Sequence, residues 1–251
     1  MSRDTQLIYG LHAVRHALEA APEVCLELWL QDERVDAAVQ VLQEACKRAG
    51  VAVHSADGRT LDRLVEGARH QGAVLRRRVA PSRGDQELDA MVDAAGSDLL
   101  LLALDGVEDP NNLGACLRTA DAAGVSGVIT GRSRGPGLTP AVYKVACGAA
   151  DRVEFFRVAN LVRVLTRLKA AGVRVVGATA SGDSSIYAVD LCGPLLVVLG
   201  GEGRGLRSLT AKQCDQLVHI PMHGQVESLN VSVSTGILLY EAFRQRSQAT
   251  R

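Results

Sequence analysis

Asparagine, arginine, glutamate and serine gather in three stretches where an apolar strand pattern breaks into a loop. In the first, Asp105 to Asn111 leads into a helical pattern, with Asn112 near the helix start and Arg118 six residues on. An arginine among Leu113, Ala115, Cys116, Leu117 and Ala120 needs a partner if it is buried. In the second, the run Leu195 to Leu199 ends in Gly200-Gly201-Glu202-Gly203-Arg204-Gly205, which sets one carboxylate among four glycines. In the third, Ile220-Pro221 closes a strand and Gly224 permits a turn. Ser228, Leu229 and Asn230 then precede a helix whose first turns are small and hydroxylated. Each stretch also has a plainer reading: a turn with an asparagine cap and a surface cation, a bare glycine loop, and a capped helix.

If the loops meet, the site holds Asn112, Arg118, Glu202, Ser228 and Asn230, together with free backbone amides and carbonyls. No Ser-His-Asp relay or nucleophilic cysteine motif accompanies them. Gly201 and Gly203 begin a dinucleotide fingerprint, but position 206 is leucine, and no Gly-Lys-Ser/Thr of a P-loop follows. His12 and His16 stand four apart without the glutamate of a zinc-protease helix, and His219 and His223 straddle Pro221, so no metal site is expected. Such a constellation orients and polarises. Group transfer from a pre-activated donor to a hydroxyl fits it.

The elements that must position these loops alternate between strand and helix. Strands are expected at Leu7 to Gly10, Val24 to Leu30 and Val51 to His54, with helices at Leu11 to Ala20, Arg34 to Arg48 and Leu61 to Ala68. Val35, Ala38, Val41, Leu42 and Ala45 form the apolar face of the second helix, and Asp57-Gly58 reads as a turn. These pieces make a compact α/β unit. Leu75 to Gly84, with Arg76-Arg77-Arg78 and Pro81, reads as a solvated connector, with phosphate contact as a second reading. Beyond it, Leu99 to Leu104 is the continuous apolar strand of a sheet buried on both faces. Further strands follow at Gly127 to Thr130, Val153 to Phe156, Arg174 to Gly177, Leu195 to Leu199 and Gln216 to Ile220, with helices between. The expectation is an open, mainly parallel sheet, whose ligands bind at the carboxyl ends of its strands.

Composition narrows the classes. The 251 residues are 47% hydrophobic and 22% charged, with no apolar run long enough to span a membrane, so a cytoplasmic protein is expected. Net charge is zero, and local clusters (Arg132 with Arg134, Arg204 with Arg207) leave RNA binding undecided by charge alone. Six scattered cysteines without a C-x-x-C pair read as reduced, mostly buried thiols.

The three stretches resemble the motifs of the SpoU/TrmH-type RNA ribose 2'-O-methyltransferases of the SPOUT class. In this chain they read D-P-x-N-L-G-A-x-x-R-T-A, L-G-x-E-G-x-G-L and I-P-M-x-G-x-V-x-S-L-N-V-S-x-x-x-G, in that family's order. Tyr9 to Val14 and Ala68 to Gly72 resemble the subfamily that methylates guanosine in bacterial 23S rRNA. The resemblance implies an L30e-like RNA-binding domain over 1–76, a linker over 77–90, and a SPOUT methyltransferase domain over 91–251 with a C-terminal trefoil knot. It further implies S-adenosyl-L-methionine as donor, 23S rRNA as partner, and a homodimer. Carried over by motif, Asn112, Arg118, Glu202, Ser228 and Asn230 form the catalytic set, and Gly200, Ile220 and Leu229 contact the cofactor. Methylation of tRNA, antibiotic-resistance methylation of rRNA, and a non-catalytic RNA-binding assembly factor stand as alternatives.

Overall fold

The computed structural model describes residues 5–32, 34, 36–79, 83–133 and 135–249. Val35, Arg134 and the connector residues Ala80, Pro81 and Ser82 lie outside the described residues. The chain divides into two compact units, Met1–Pro81 with Leu138–Arg152, and Ser82–Gly137 with Val153–Arg251.

In the first unit β1 (Thr5–Tyr9), α1 (Leu11–Ala20), β2 (Cys25–Gln31), α2 (Ala37–Ala49), β3 (Ala52–Ala56), α3 (Gly58–Leu64) and β4 (Ala73–Arg78) follow in order. The sheet runs β1-β4-β2-β3, with β4 antiparallel to both neighbours and β2 parallel to β3. Helix α2 starts later than Arg34 because Asp36 caps it, its carboxylate accepting from Val39 N at 3.0 Å. Asp57-Gly58 is not a free turn. Asp57 caps α3, accepting from Thr60 N at 2.7 Å, and Gly58 is the first helical residue.

The arginine triplet departs most from its sequence reading. Arg76, Arg77 and Arg78 are not a solvated connector but the second half of β4, an interior strand. Arg76 pairs with Glu27 and lies 5.2 Å above the Trp29 ring. Arg77 is 2% exposed; its Nη1 stands 2.6 Å from Asp151 and its guanidinium 4.8 Å from the Tyr143 ring. Tyr143 and Asp151 come from the helices Pro140–Ala146 and Ala149–Arg152, and this packing places Leu138–Arg152 in the first unit. Burial holds the Asp151 carboxyl above the ordinary carboxylate value, outweighing the pull of Arg77.

The second unit opens with α4 (Asp85–Ala94), β5 (Leu100–Asp105), α5 (Pro110–Ala122) and β6 (Gly127–Gly131). The two helices just described are α6 and α7 in chain order. Then come β7 (Glu154–Val158), α8 (Leu161–Ala170), β8 (Arg174–Ala178), β9 (Ser184–Ser185), β10 (Leu195–Gly200), α9 (Ser208–Ala211), β11 (Gln216–His219) and α10 (Val231–Ala249). The sheet order is β7-β6-β5-β10-β8-β11-β9, and every pairing is parallel. Leu101, Ala103, Leu196 and Val198 pack against Leu88 of α4 and Val164, Leu165 and Leu168 of α8. The alternate residues Leu100, Leu102, Leu104 and Val197 are equally buried, and α10 packs on α5 and β10. Because side chains alternate across a strand, cover on both faces turns β5 into an unbroken apolar run.

Candidate active site

Two of the three loops owe their positions to caps. Asp109, not an asparagine, caps α5 by accepting from Asn111 N at 3.0 Å, and Pro110 takes the first helical position, where no amide donor is needed. The sequence pattern places this helix over Leu113 to Ala123, but it begins at Pro110, and Asn112 lies inside its first turn, 8% exposed. At α10, the Asn230 Oδ1 accepts from Ser232 N at 2.8 Å and from Ser232 Oγ at 2.6 Å, while its main-chain carbonyl accepts from Ser234 N. Small residues let this helix come close to α5. The Cys116 Sγ lies 3.3 Å from Thr235 Oγ1, and burial pushes that thiol up to about 11.

The side chains then meet. Asn112 Nδ2 donates to Glu202 Oε1 at 2.7 Å, and Asn230 Nδ2 donates to the same oxygen and to Asn112 Oδ1, each at 3.0 Å. Asn230 is thus both the helix cap and a leg of this cluster. Its amide orientation follows from the pattern, with Oδ1 turned to the helix amide and Nδ2 to the acid.

A cleft of about 600 Å³ opens beyond the carboxyl tips of β8, β10 and β11. Gly200, Ile220 and Leu229, expected at the cofactor, line it, as do Glu202, Ser228 and Asn230. Two glycines of its wall admit no side chain: a Cβ on Gly200 would sit 1.9 Å from the Gly205 carbonyl carbon, and one on Gly201 2.0 Å from the Gly106 oxygen. A second hollow of about 480 Å³ shares Gly201, Glu202, Arg204 and Gly205 with the first and reaches Asn112 and Arg207. Arg118 lines neither. It stands exposed on α5, roughly 9 Å further along the helix axis than Asn112 at 1.5 Å per residue.

Sequence reading passed over one ion pair. Asp105 ends β5, is 2% exposed, and is bonded by Arg207. A charged residue closing a wholly apolar strand was the available signal, because a buried carboxylate requires a partner. Among the described residues, no group of three His, Cys, Asp or Glu side chains is arranged to hold a metal ion.

The profile described as the SpoU rRNA Methylase family matches residues 99–240, and one described as RNA 2'-O ribose methyltransferase substrate binding matches residues 7–78. The chain belongs to the SpoU rRNA methylase family. It is 47% identical over 241 residues to the 23S rRNA (guanosine-2'-O-)-methyltransferase RlmB of Shewanella oneidensis, covering 96% of this chain and 97% of that protein. A crystal structure of an RNA 2'-O ribose methyltransferase superposes with a TM-score of 0.78 at 29% identity, covering 97% of this chain and 90% of its own. The AdoMet-bound rRNA methyltransferase from Sinorhizobium meliloti gives 0.76 at 26%, covering 96% and 87%.

Proposed function

We propose that this protein transfers a methyl group from S-adenosyl-L-methionine to the ribose 2'-hydroxyl of a guanosine in 23S rRNA. The observation that carries the reading is the Asn112–Glu202–Asn230 cluster at the rim of a strand-tip cleft, in a chain whose relative bears that activity in its name. The cleft has the size of a small-molecule site, and Leu199, Ile220, Met222 and Val231 offer apolar contact beside exposed glycine backbone. Gly200, Ile220 and Leu229 would hold the cofactor there. When bound, it would supply a methyl group on a sulfonium and be left as a neutral thioether, with the proton of the ribose hydroxyl passing to solvent.

The chain's own task is alignment, which contributes roughly 7–11 kcal/mol when geometry matches that of attack. Asn112, Glu202, Ser228 and Asn230 position the ribose. Arg118, which lines neither hollow, grips the target phosphate from its exposed place on α5, and its guanidinium keeps its proton there. Arg118→Lys separates clamp from base. A rate loss that persists at every pH supports the clamp, whereas recovery at high pH supports the base.

The unit Met1–Pro81 with Leu138–Arg152 binds RNA, and the unit Ser82–Gly137 with Val153–Arg251 carries the chemistry; the substrate-binding profile over 7–78 supports the first assignment. Val233, Tyr240 and Phe243, each about half exposed on α10, support a homodimer closed by a second copy of this helix. Membership of the SpoU family supports a knotted thread in the catalytic unit, and a cytoplasmic address follows from the substrate. Mapping 2'-O-methyl marks on 23S rRNA with and without the protein tests the whole reading. Marks gained only on tRNA, or none with the cofactor bound, would replace it. Titration with S-adenosylmethionine against NAD tests the donor separately.

A further inference from the structure

Asp105 sits at the tip of β5 with its side chain 0% exposed, and the five strand residues before it are apolar. A carboxylate in that position persists only with donors around it. Arg207 supplies them: its Nε donates to Oδ1 at 2.7 Å, its Nη2 donates to the same oxygen, and its backbone N–H donates to Oδ2 at 3.2 Å. On the main-chain side, the Asp105 carbonyl accepts from Gly201 N at 3.0 Å. One residue therefore grips both ends of the glycine loop, its entry through the carbonyl and its exit through the carboxylate. Between those ends the loop closes on itself, with Gly205 N donating to Gly201 O at 3.0 Å. Glu202 projects from this clasped loop, and its Oε1 is the point where Asn112 and Asn230 converge.

Arg207 is not core filling. Its side chain is 39% exposed, and it lines the second hollow together with Asp105, Asn112 and Glu202. We infer that Asp105 and Arg207 are a positioning pair that fixes where the Glu202 carboxylate stands, an inference resting on the site role proposed for Glu202. The pair acts through the loop whose two ends it holds. A shift of about 1 Å at a reacting centre can cost on the order of 100-fold in rate.

The test is a mutant cycle on the full chain, with kcat at saturating S-adenosylmethionine and RNA, KM for RNA, and cofactor affinity for each variant. Expected are losses of about 10- to 100-fold in kcat for Asp105→Asn and for Glu202→Gln, with the double variant no slower than Glu202→Gln alone, because residues acting as one unit are not additive. KM for RNA should stay within about twofold. Arg207→Gln, which keeps the backbone donor on Asp105, should repeat the pattern if Asp105→Asn folds poorly. Losses that multiply with Glu202→Gln, or wild-type kcat in both single variants of the pair, would overturn the inference while leaving the role of Glu202 intact. Wild-type kcat in Glu202→Gln would overturn both, and so separates the two failures.

Discussion

Each unit hides one aspartate beneath an arginine, and the two pairs are built to opposite ends. In the first unit both partners are closed off, Arg77 at 2% and Asp151 at 5% side-chain exposure, with the Tyr143 ring laid on the guanidinium. In the second unit only the acid is sealed, and Arg207 opens onto a hollow shared with Asn112 and Glu202. A pair shut on all sides joins one segment of chain to another. A pair left open on one side anchors a loop beside a hollow.

The largest effect expected from breaking this contrast is on stability in the closed pair. Arg77→Ala leaves Asp151 buried without its partner and should cost about 3–5 kcal/mol, read by urea unfolding. Asn230→Asp probes the open side. The substituted carboxylate can still cap Ser232 N but cannot donate to Glu202 and adds a like charge beside it. A fold stable to within about 1 kcal/mol is expected, with turnover down on the order of 100-fold by methyl-transfer assay.

Next in size is a pH effect at Asp151. Its folded carboxyl titrates above the unfolded value of 3.8, so between those two values the native state holds more protons than the unfolded chain. Its contribution to stability should therefore fall as pH rises from about 3.8 through the raised value. The wild type should lose stability over that window relative to Asp151→Asn, measured by unfolding at stepped pH. The smallest effect belongs to a pair in water. Arg15 and Glu19 lie 3.6 Å apart at 42% and 50% exposure, and Arg15→Ala should change stability by less than about 1 kcal/mol.

The same contrast separates what the sequence made legible from what it did not. The run Leu99 to Leu104 announced a strand covered on both faces, and the cap at Asn230 could be read from its neighbours, because both signals lie within a few residues. Asn112, Glu202 and Asn230 were named together on motif order, although the bonds joining them span 90 and 118 residues. Arg76 to Arg78 misled because local charge said solvent, whereas pairing with β1 and β2 decided their place. The start of α5 shifted because Pro110, usually a breaker, suits the first turn. Strand β9 is two residues long, too short to carry a period.

One amide does two jobs at the entrance to the last helix, and this makes part of the site observable without substrate. Fraying of the first turn of α10 would free the Asn230 side chain from Ser232 and slacken its hold on Glu202. Hydrogen–deuterium exchange at the Ser232 and Ser234 amides, whose acceptors are both on Asn230, should then report how often the idle enzyme comes unfastened.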